Sequence, residues 1–364
     1  MLKSIIGVKD MDNEKQIEKI VLECFEDIPF AKVNILSNYN LSPFYQPDLV
    51  LAVDSSSDLE RWIVCEYKSS GQPRLARSAV DKLLRCVQDI PQAYPVFIAP
   101  YISPNSAEIC REQGVGYIDV AGNCRLVFDN IYILKEGKEN PFKEKRELRS
   151  LFSPKAERIL RVLLSNPDKK WKTKELAKTA EVSLGQVSNV KTLLVDREWV
   201  EPKSFRLVEP GQLLEAWSTA YQSGRNPKRD FYSFAKANEL EFSLADICRK
   251  MDISYALTGF SAAARRVPFV RYQRAMAYVS GDIETIINRL ELKEVDSGAN
   301  LSIFIPYDDG VFYGNEEYEG VRVVSVVQNY LDLMGNPGRG EEAAQALLEG
   351  VIAKQWQSAP IIRK

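Results

Sequence analysis

The sequence predicts a multidomain protein that combines α/β and α+β architecture. Paired apolar runs and alternating helical patterns fill the first 140 residues, a strongly charged stretch follows at residues 135–150, and a compact basic unit occupies residues 153–208. A chain of 364 residues is long enough for two or three domains. We therefore predict three domains, with bounds at residues 1–140, 150–208 and 209–364.

The stretch PDLVLAVDSSSDLERWIVCEYK, at residues 47–68, organises the first domain. Its apolar runs at residues 49–53 and 62–65 flank a turn rich in Ser and Asp, which predicts a β-hairpin. The hairpin would bring Asp48, at the start of one strand, beside Glu66 and Lys68, at the end of the next. Residues two apart in a strand share a face, so Glu66 and Lys68 are expected to point the same way.

Two carboxylates and one ammonium at a strand end suit a magnesium-dependent phosphodiesterase. Mg²⁺ prefers hard oxygen ligands, polarises a bound phosphate and lowers the pKa of an attacking water. A lysine nearby orients that water or stabilises charge on the phosphate. A simpler interpretation stays open, in which Asp48 is a turn residue and Glu66 and Lys68 are a solvent-side pair.

The residues Pro47-Asp48 and Glu66-Tyr67-Lys68 resemble the motif of the PD-(D/E)xK nuclease superfamily. The resemblance implies a restriction-endonuclease-like domain with Asp48, Glu66 and Lys68 as catalytic residues. If the site is active, it implies that Asp48, Glu66 and the Tyr67 carbonyl hold Mg²⁺. The predicted order of helix, three strands, helix, strand, helix and strands agrees with the core of that fold. On the first helix, Glu18 and Glu23 either approach the metal or face solvent.

Composition excludes several other chemistries. The chain has no histidine, which rules out Ser-His-Asp and Cys-His catalysis and His-ligated zinc. Its six cysteines are scattered without a CxxC pair, which predicts reduced core thiols in a cytoplasmic protein. The sequence has no apolar run of membrane-spanning length, and its N-terminus lacks an apolar signal core, so no membrane partner is expected.

Residues 153–208 predict three helices and a hairpin, which together resemble a winged helix-turn-helix. In the third helix, Leu184, Val187, Val190 and Leu194 form the predicted buried stripe. Ser183 precedes this helix as its cap. The residues predicted to meet double-stranded DNA are Ser183, Gln186, Ser188, Asn189 and Lys191.

The charge distribution supports this prediction. Residues 153–208 carry a net charge of +5, whereas residues 1–134 carry −5. A basic module of this kind is typical of DNA binding, and amide side chains recognise adenine edges in the major groove. The alternative is a winged helix used only for protein contact or dimerisation.

The remaining residues predict a C-terminal α/β domain with strands that include residues 301–305, 311–313 and 321–324. The segment YALTGFSAA, at residues 255–263, predicts a strand, a tight turn and a helix, and it resembles the Gly-Ser turn of nucleotidyltransferase folds. That chemistry needs paired carboxylates on the next strand, and residues 265–281 contain none, so catalysis by this domain is not expected. The arginines of this segment bind nucleic acid or an acidic partner, or are ordinary surface charges: Arg265, Arg266, Arg271 and Arg274.

The three-part order resembles the AbiEi-type family, antitoxins of type IV toxin–antitoxin systems that also regulate transcription. The resemblance rests on the winged helix and the YALTGFSAA segment. It implies DNA binding, autoregulation and a cognate toxin partner, and leaves a homodimer open. Two hypotheses follow. The first is a DNA-binding regulator with a nuclease-like platform, and the second is a Mg²⁺-dependent DNA endonuclease targeted by the winged helix.

Overall fold

A computed structural model describes residues 8–26, 28–36, 46–54, 60–141, 151–267, 270–336 and 338–357, with side chains from residue 17 onward. The chain divides into two compact units, Met1–Glu147 with Asp196–Glu198, and Leu148–Val195 with Trp199–Lys364. Each unit contains a seven-stranded sheet. Across the described ranges, no helix is both long and apolar enough to cross a membrane.

The first unit has three layers, with its sheet between helices. The strands follow one another across the sheet in chain order: β1 Lys32–Ile35, β2 Leu49–Asp54, β3 Arg61–Tyr67, β4 Ala93–Ala99, β5 Gly116–Asp119, β6 Cys124–Phe128 and β7 Ile131–Lys135. Only the β3–β4 and β4–β5 pairs are parallel. The helices are α1 Val8–Phe25, α2 Pro73–Val87 and α3 Pro104–Glu112. This is the predicted order of elements.

Strand alternation explains how both faces of this sheet are covered. Leu49, Leu51 and Val53 pack into the core that contains α1, whereas Val50 packs with α2 and α3. Because successive strand residues point to opposite faces, an almost continuous apolar run is required where both faces are buried. The six cysteines lie buried and free of disulfides, as predicted: Cys24, Cys65, Cys86, Cys110, Cys124 and Cys248.

The second unit combines a helical part with the other sheet. Its helices are α4 Pro154–Ser165, α5 Thr173–Thr179, α6 Leu184–Asp196, α7 Pro210–Ala220, α8 Ala237–Lys250, α9 Gly259–Ala263, α10 Ile283–Arg289, α11 Val326–Met334, α12 Arg339–Leu347 and α13 Ala353–Gln357. Its strands are β8 Lys228–Tyr232, β9 Ser254–Leu257, β10 Ala275–Ser280, β11 Lys293–Glu294, β12 Leu301–Phe304, β13 Glu316–Tyr318 and β14 Val321–Val323. They lie in the order β11-β8-β12-β10-β9-β14-β13.

Residues 150–208 and 209–364, which the sequence predicts as separate domains, share one hydrophobic core in this unit. Leu160 of α4 and Leu194 of α6 belong to the same buried cluster as Trp217 of α7 and Leu331 of α11. A buried arginine on α4, Arg161, stacks on Trp217 with its guanidinium carbon 5.0 Å from the ring centroid. The predicted helix-turn-helix is therefore packed as part of a larger body.

Candidate functional site

The structure brings together the residues of the predicted carboxylate–lysine cluster. The β2–β3 register pairs Leu49 with Cys65, so Asp48, directly before β2, lies beside Glu66, near the end of β3. Val50 and Val64 pack toward α2. By alternation, Asp48, Glu66 and Lys68 lie on that same face.

Hydrogen bonds define the geometry of the cluster. Asp48 Oδ2 accepts a hydrogen bond of 2.8 Å from the Tyr67 main-chain N–H. The Glu66 side chain is only 1% exposed, and its Oε1 accepts from Lys68 Nζ and, at 2.8 Å, from Lys82 Nζ. Desolvation raises the pKa of the Asp48 carboxyl, the Tyr67 N–H partly offsets this, and the charge of Glu66 raises the pKa further.

Lys82 also belongs to this cluster, although the sequence did not predict it. It projects from α2, sixteen residues after Glu66. A signal was present, because Lys82 lies three residues after buried Ala79 and four before buried Cys86, on the apolar stripe of α2. The Lys82 side chain is 43% exposed, and its ammonium group reaches the buried Glu66 carboxylate.

This arrangement does not fit a Mg²⁺ ion as it stands. The Oε1 atom of Glu66 already accepts from two ammonium groups, so a cation approaching that atom would have to displace one of them. Two carboxylates facing two ammoniums leave no negative excess to attract a divalent ion. Among the described residues, no group of three or more Asp, Glu, Cys or His side chains is placed to hold a metal.

The other predicted ligands give no further support for a metal. The Tyr67 N–H binds Asp48, and the role of its carbonyl stays a prediction. Glu18 and Glu23 lie on α1, which packs on the face of the sheet opposite to α2 and Glu66. The sheet therefore separates them from Glu66, and Glu23 is exposed and paired with Lys19 at 3.6 Å. The solvent-facing interpretation of these two residues agrees with this position.

The second candidate surface is the outer face of α6. The Ser183 hydroxyl accepts a hydrogen bond of 3.1 Å from the Gln186 main-chain N–H, which confirms it as the helix cap. Ser183, Ser188 and Asn189 are exposed, whereas Gln186 and Lys191 are half-buried. Lys191 Nζ lies 5.3 Å from the centroid of the Phe205 ring.

The buried stripe of α6 is shorter than predicted. Val187, Val190 and Leu194 are buried, but Leu184 is 54% exposed, so its predicted burial is wrong. Leu184 belongs to the first turn of the helix, ahead of the part that the core covers. It lies instead at the rim of a groove between α5 and α6.

Lysines line this groove beside the predicted DNA-contacting residues. The groove has a volume of about 600 Å³, and its lining includes Lys155, Lys174 and Lys178 together with Ser183 and Gln186. Glu181 is its acidic member, and it is paired with Arg158 at 2.8 Å. Positive charge next to exposed polar side chains at a helix N-terminus is the arrangement that binds a phosphate backbone.

Two arginines of the predicted C-terminal cluster form hydrogen bonds with other groups of the protein. Arg265 donates to Glu241 Oε2 and to the Ser261 carbonyl, each at 2.8 Å. The Arg266 side chain is 2% exposed and donates to the Val324 carbonyl at 2.7 Å. The guanidinium groups of these two residues bind within the fold and are nearly buried, so the predicted contact with nucleic acid or an acidic partner and the predicted surface charge are both wrong for them.

Comparisons with known proteins identify one part of the chain. No curated protein and no solved structure matches it. Residues 206–353, less than half of the chain, match a family described as "Transcriptional regulator, AbiEi antitoxin, Type IV TA system". The match begins after α6 and ends near α13. It supports an AbiEi-like relationship for the C-terminal part of this chain, and the predicted nuclease-like domain lies outside it.

Proposed function

We propose that this protein is a DNA-binding transcriptional regulator of the AbiEi antitoxin type, in which residues 150–208 form a winged helix-turn-helix. The observation that carries the proposal is the exposed polar face of α6 beside a lysine-lined groove. This surface belongs to the same compact unit as the residues that match a family of transcriptional regulators.

The geometry of the helical part supports DNA contact. Helices α4, α5 and α6 are followed by an antiparallel bridge between Val200 and Leu207, in the position of a wing. The side chains facing out from α6 are short and polar, so they can approach base edges in a major groove. On this proposal the lysines on α5 hold the neighbouring phosphates. Such contacts fix the register of the protein on the DNA duplex without recognising the base sequence.

The proposal assigns a non-hydrolytic role to the first unit. Lys68 and Lys82 neutralise Glu66 and Asp48, so on this proposal the cluster stabilises the ends of strands β2 and β3 in place of binding a metal. On this proposal the first unit is a platform for binding or assembly, and its partner is the cognate toxin or a second copy of the chain.

A DNA-binding experiment tests the proposal. Gel shifts with the promoter of the protein's own gene compare the wild-type chain, the variant Asn189→Ala/Lys191→Ala and the control variant Asp48→Ala. We expect the double variant to lose specific binding and the control to retain it, since Asp48 lies in the first unit. Equal binding of promoter and unrelated DNA by the wild-type protein would refute the proposal.

The alternative function is a Mg²⁺-dependent DNA endonuclease. The observation in its favour is that Asp48, Glu66 and Lys68 meet at one end of the hairpin. It requires Lys68 or Lys82 to leave Glu66 Oε1 when the ion enters. Incubation of supercoiled plasmid with Mg²⁺ or Mn²⁺ tests it. Nicking that is abolished in Lys68→Ala would establish the endonuclease, and intact plasmid under all conditions would exclude it.

A further inference from the structure

A deep cavity of about 760 Å³ opens on one face of the second sheet. Its floor is formed by β8, β12 and β10, whose register aligns Lys228, Phe304 and Tyr278 in one row. Since successive strand residues point to opposite faces, the intervening residues, such as Ile303 and Val279, point away from the cavity, and both are buried. The volume falls within the range of about 300–1,000 Å³ that is usual for small-molecule sites.

The lining of this cavity is strongly cationic. Lys228, Arg271, Arg274 and Arg339 contribute to it, and Asp332 is its one acidic residue among the described residues. Nearby Asp230 is 2.8 Å from Lys228 and 3.9 Å from Arg274. Four cations still exceed these two carboxylates. The guanidinium group of Arg271 is exposed and forms no ion pair with any described residue.

Hydrogen bonds within the protein hold two of the arginines in place. Arg274 Nε donates to the Ala299 carbonyl at 2.9 Å. Arg339 donates to the Arg271 carbonyl at 2.7 Å, and its guanidinium carbon lies 5.5 Å from the centroid of the Phe260 ring. A cationic site that is ordered before binding loses less entropy when the ligand enters.

The one acidic residue of the lining is satisfied inside the protein. Asp332 Oδ1 accepts from Tyr278 at 2.8 Å, Gln328 at 2.9 Å and Tyr221 at 3.0 Å, and Oδ2 accepts from Thr258. With four donors already bound, this carboxylate offers little attraction to a cation. The cavity is therefore suited to an anion.

Aromatic side chains complete the walls. Phe260, Tyr272 and Phe304 line the cavity and are half-buried, so they present surface against which a planar group can pack. We propose that the cavity binds a free nucleotide, with its phosphates on Arg271 and Arg274 and its base against these aromatic residues.

Isothermal titration calorimetry of the full chain tests this assignment. The probes are the four common ribonucleoside triphosphates, the corresponding nucleosides and a short double-stranded oligonucleotide. We expect at least one triphosphate to bind and its nucleoside to bind at least about tenfold more weakly, because charge-assisted hydrogen bonds to phosphate are lost.

Variants locate the binding in the cavity. We expect Arg271→Ala and Arg274→Gln each to weaken binding by about tenfold or more. Arg289→Ala serves as the matched control, since Arg289 is an exposed arginine on α10 outside the cavity lining. Arg271 uses only its main-chain carbonyl in the fold, so its variant is expected to stay folded, which a thermal melt verifies.

Four results would overturn the proposal. They are the absence of binding by every triphosphate, equal affinity for a triphosphate and its nucleoside, equal weakening in Arg289→Ala, and competition by the oligonucleotide at the same site. The last result would assign the cavity to nucleic acid. None of these readouts requires DNA binding by α6, so the proposal can fail or hold independently of the proposed function.

Discussion

The salt dependence of DNA binding gives the sharpest test of the lysine-lined groove. Lys174 and Lys178 lie four residues apart on α5, so they are neighbours on one helix face, and neither is ion-paired with a described residue. On the proposed function, each of these lysines contacts one phosphate. We therefore expect the double variant Lys174→Ala/Lys178→Ala to bind DNA more weakly and with a shallower dependence on salt.

The magnitude follows from counterion release. Each phosphate contact contributes about 0.9 to the slope of log affinity against log salt, so losing two contacts lowers the slope by about 1.8. Between 50 and 200 mM NaCl, the wild-type affinity should therefore fall about 12-fold further than that of the variant. Fluorescence anisotropy of a labelled duplex at four or five salt concentrations measures both slopes.

A charge-matched control separates local contact from overall charge. Lys236 and Lys293 are exposed lysines in the sheet-containing part of the same unit. The variant Lys236→Ala/Lys293→Ala has the same net charge as the groove variant, and we expect it to keep the wild-type slope. If the groove variant also keeps that slope, Lys174 and Lys178 do not contact phosphate and the orientation assigned to α5 and α6 is wrong.

Three further predictions concern stability. Glu66→Ala should lower the free energy of unfolding by about 2 kcal/mol in urea titrations, because Lys68 and Lys82 lose their shared partner while their exposure of 26% and 43% lets water solvate them. Lys82→Met, which leaves Lys68 paired with Glu66, should cost less than half as much. Gly71→Ala should cost about 2 kcal/mol or more in the same assay, because a Cβ at this position would lie 2.1 Å from the main-chain oxygen of residue 101. Burial raises the pKa of the Asp332 carboxyl above its ordinary value of 3.8, so the folded state binds the proton more tightly than the unfolded state does. The free energy of unfolding should therefore fall as pH rises from 3.8 through the folded pKa. That fall should be absent in Asp332→Asn, as measured by thermal melts across pH.

Each of these three stability predictions has a control variant or a result that would contradict it. Gly211→Ala, at a position with nothing within 4 Å, should be neutral or stabilising. A loss at Gly211 as large as that at Gly71 would show that steric contact is not the cause. Equal losses for Glu66→Ala and Lys82→Met would show that Glu66 is not the centre of the cluster. A parallel pH profile in Asp332→Asn would assign the pH dependence to other groups.

The sequence predicts those parts of the fold that depend on local periodicity. The apolar runs around residues 49–53 and 62–65 fold as β2 and β3, and the motif residues meet because strand alternation and hairpin register place them together. Ser183 caps α6 because a short hydroxyl side chain ahead of an apolar helix pattern binds a free main-chain N–H group. In each case the information lies within a few residues.

The parts of the fold that the sequence does not predict depend on contacts between residues far apart in the chain. The strand β8 has the sequence KRDFY, in which only Phe231 is buried. Its charged residues find partners far along the chain, as Arg229 does with Glu294 and Glu284 at 2.8 and 2.6 Å. Two aromatic residues after three charged ones do not form an alternating apolar pattern, so the sequence does not predict β8.

Local side-chain hydrogen bonds explain another error. The sequence predicts a strand at residues 311–313, but Asp309–Phe312 forms a 3₁₀ turn. Asp308 Oδ1 accepts from the Gly310 N–H at 2.8 Å, which folds the main chain back at this point. The same Asp308 oxygen binds Arg158 Nε at 2.7 Å, so the turn also joins α4 to the sheet-containing part.

The contacts of α4 determine how the DNA-binding and nucleotide proposals relate. Arg161 Nε donates to Gln328 Oε1 at 2.8 Å, and Gln328 Nε2 donates to Asp332 Oδ1 at 2.9 Å. These hydrogen bonds connect α4, the first helix of the proposed helix-turn-helix, to a residue that lines the cavity, through buried groups that are costly to leave unpaired. Cutting the chain after residue 208 would remove Gln328, which binds Arg161 Nε, and would expose the core around Leu160. The proposed helix-turn-helix therefore shares its core with residues 209–357, and we expect DNA binding to require the whole second unit.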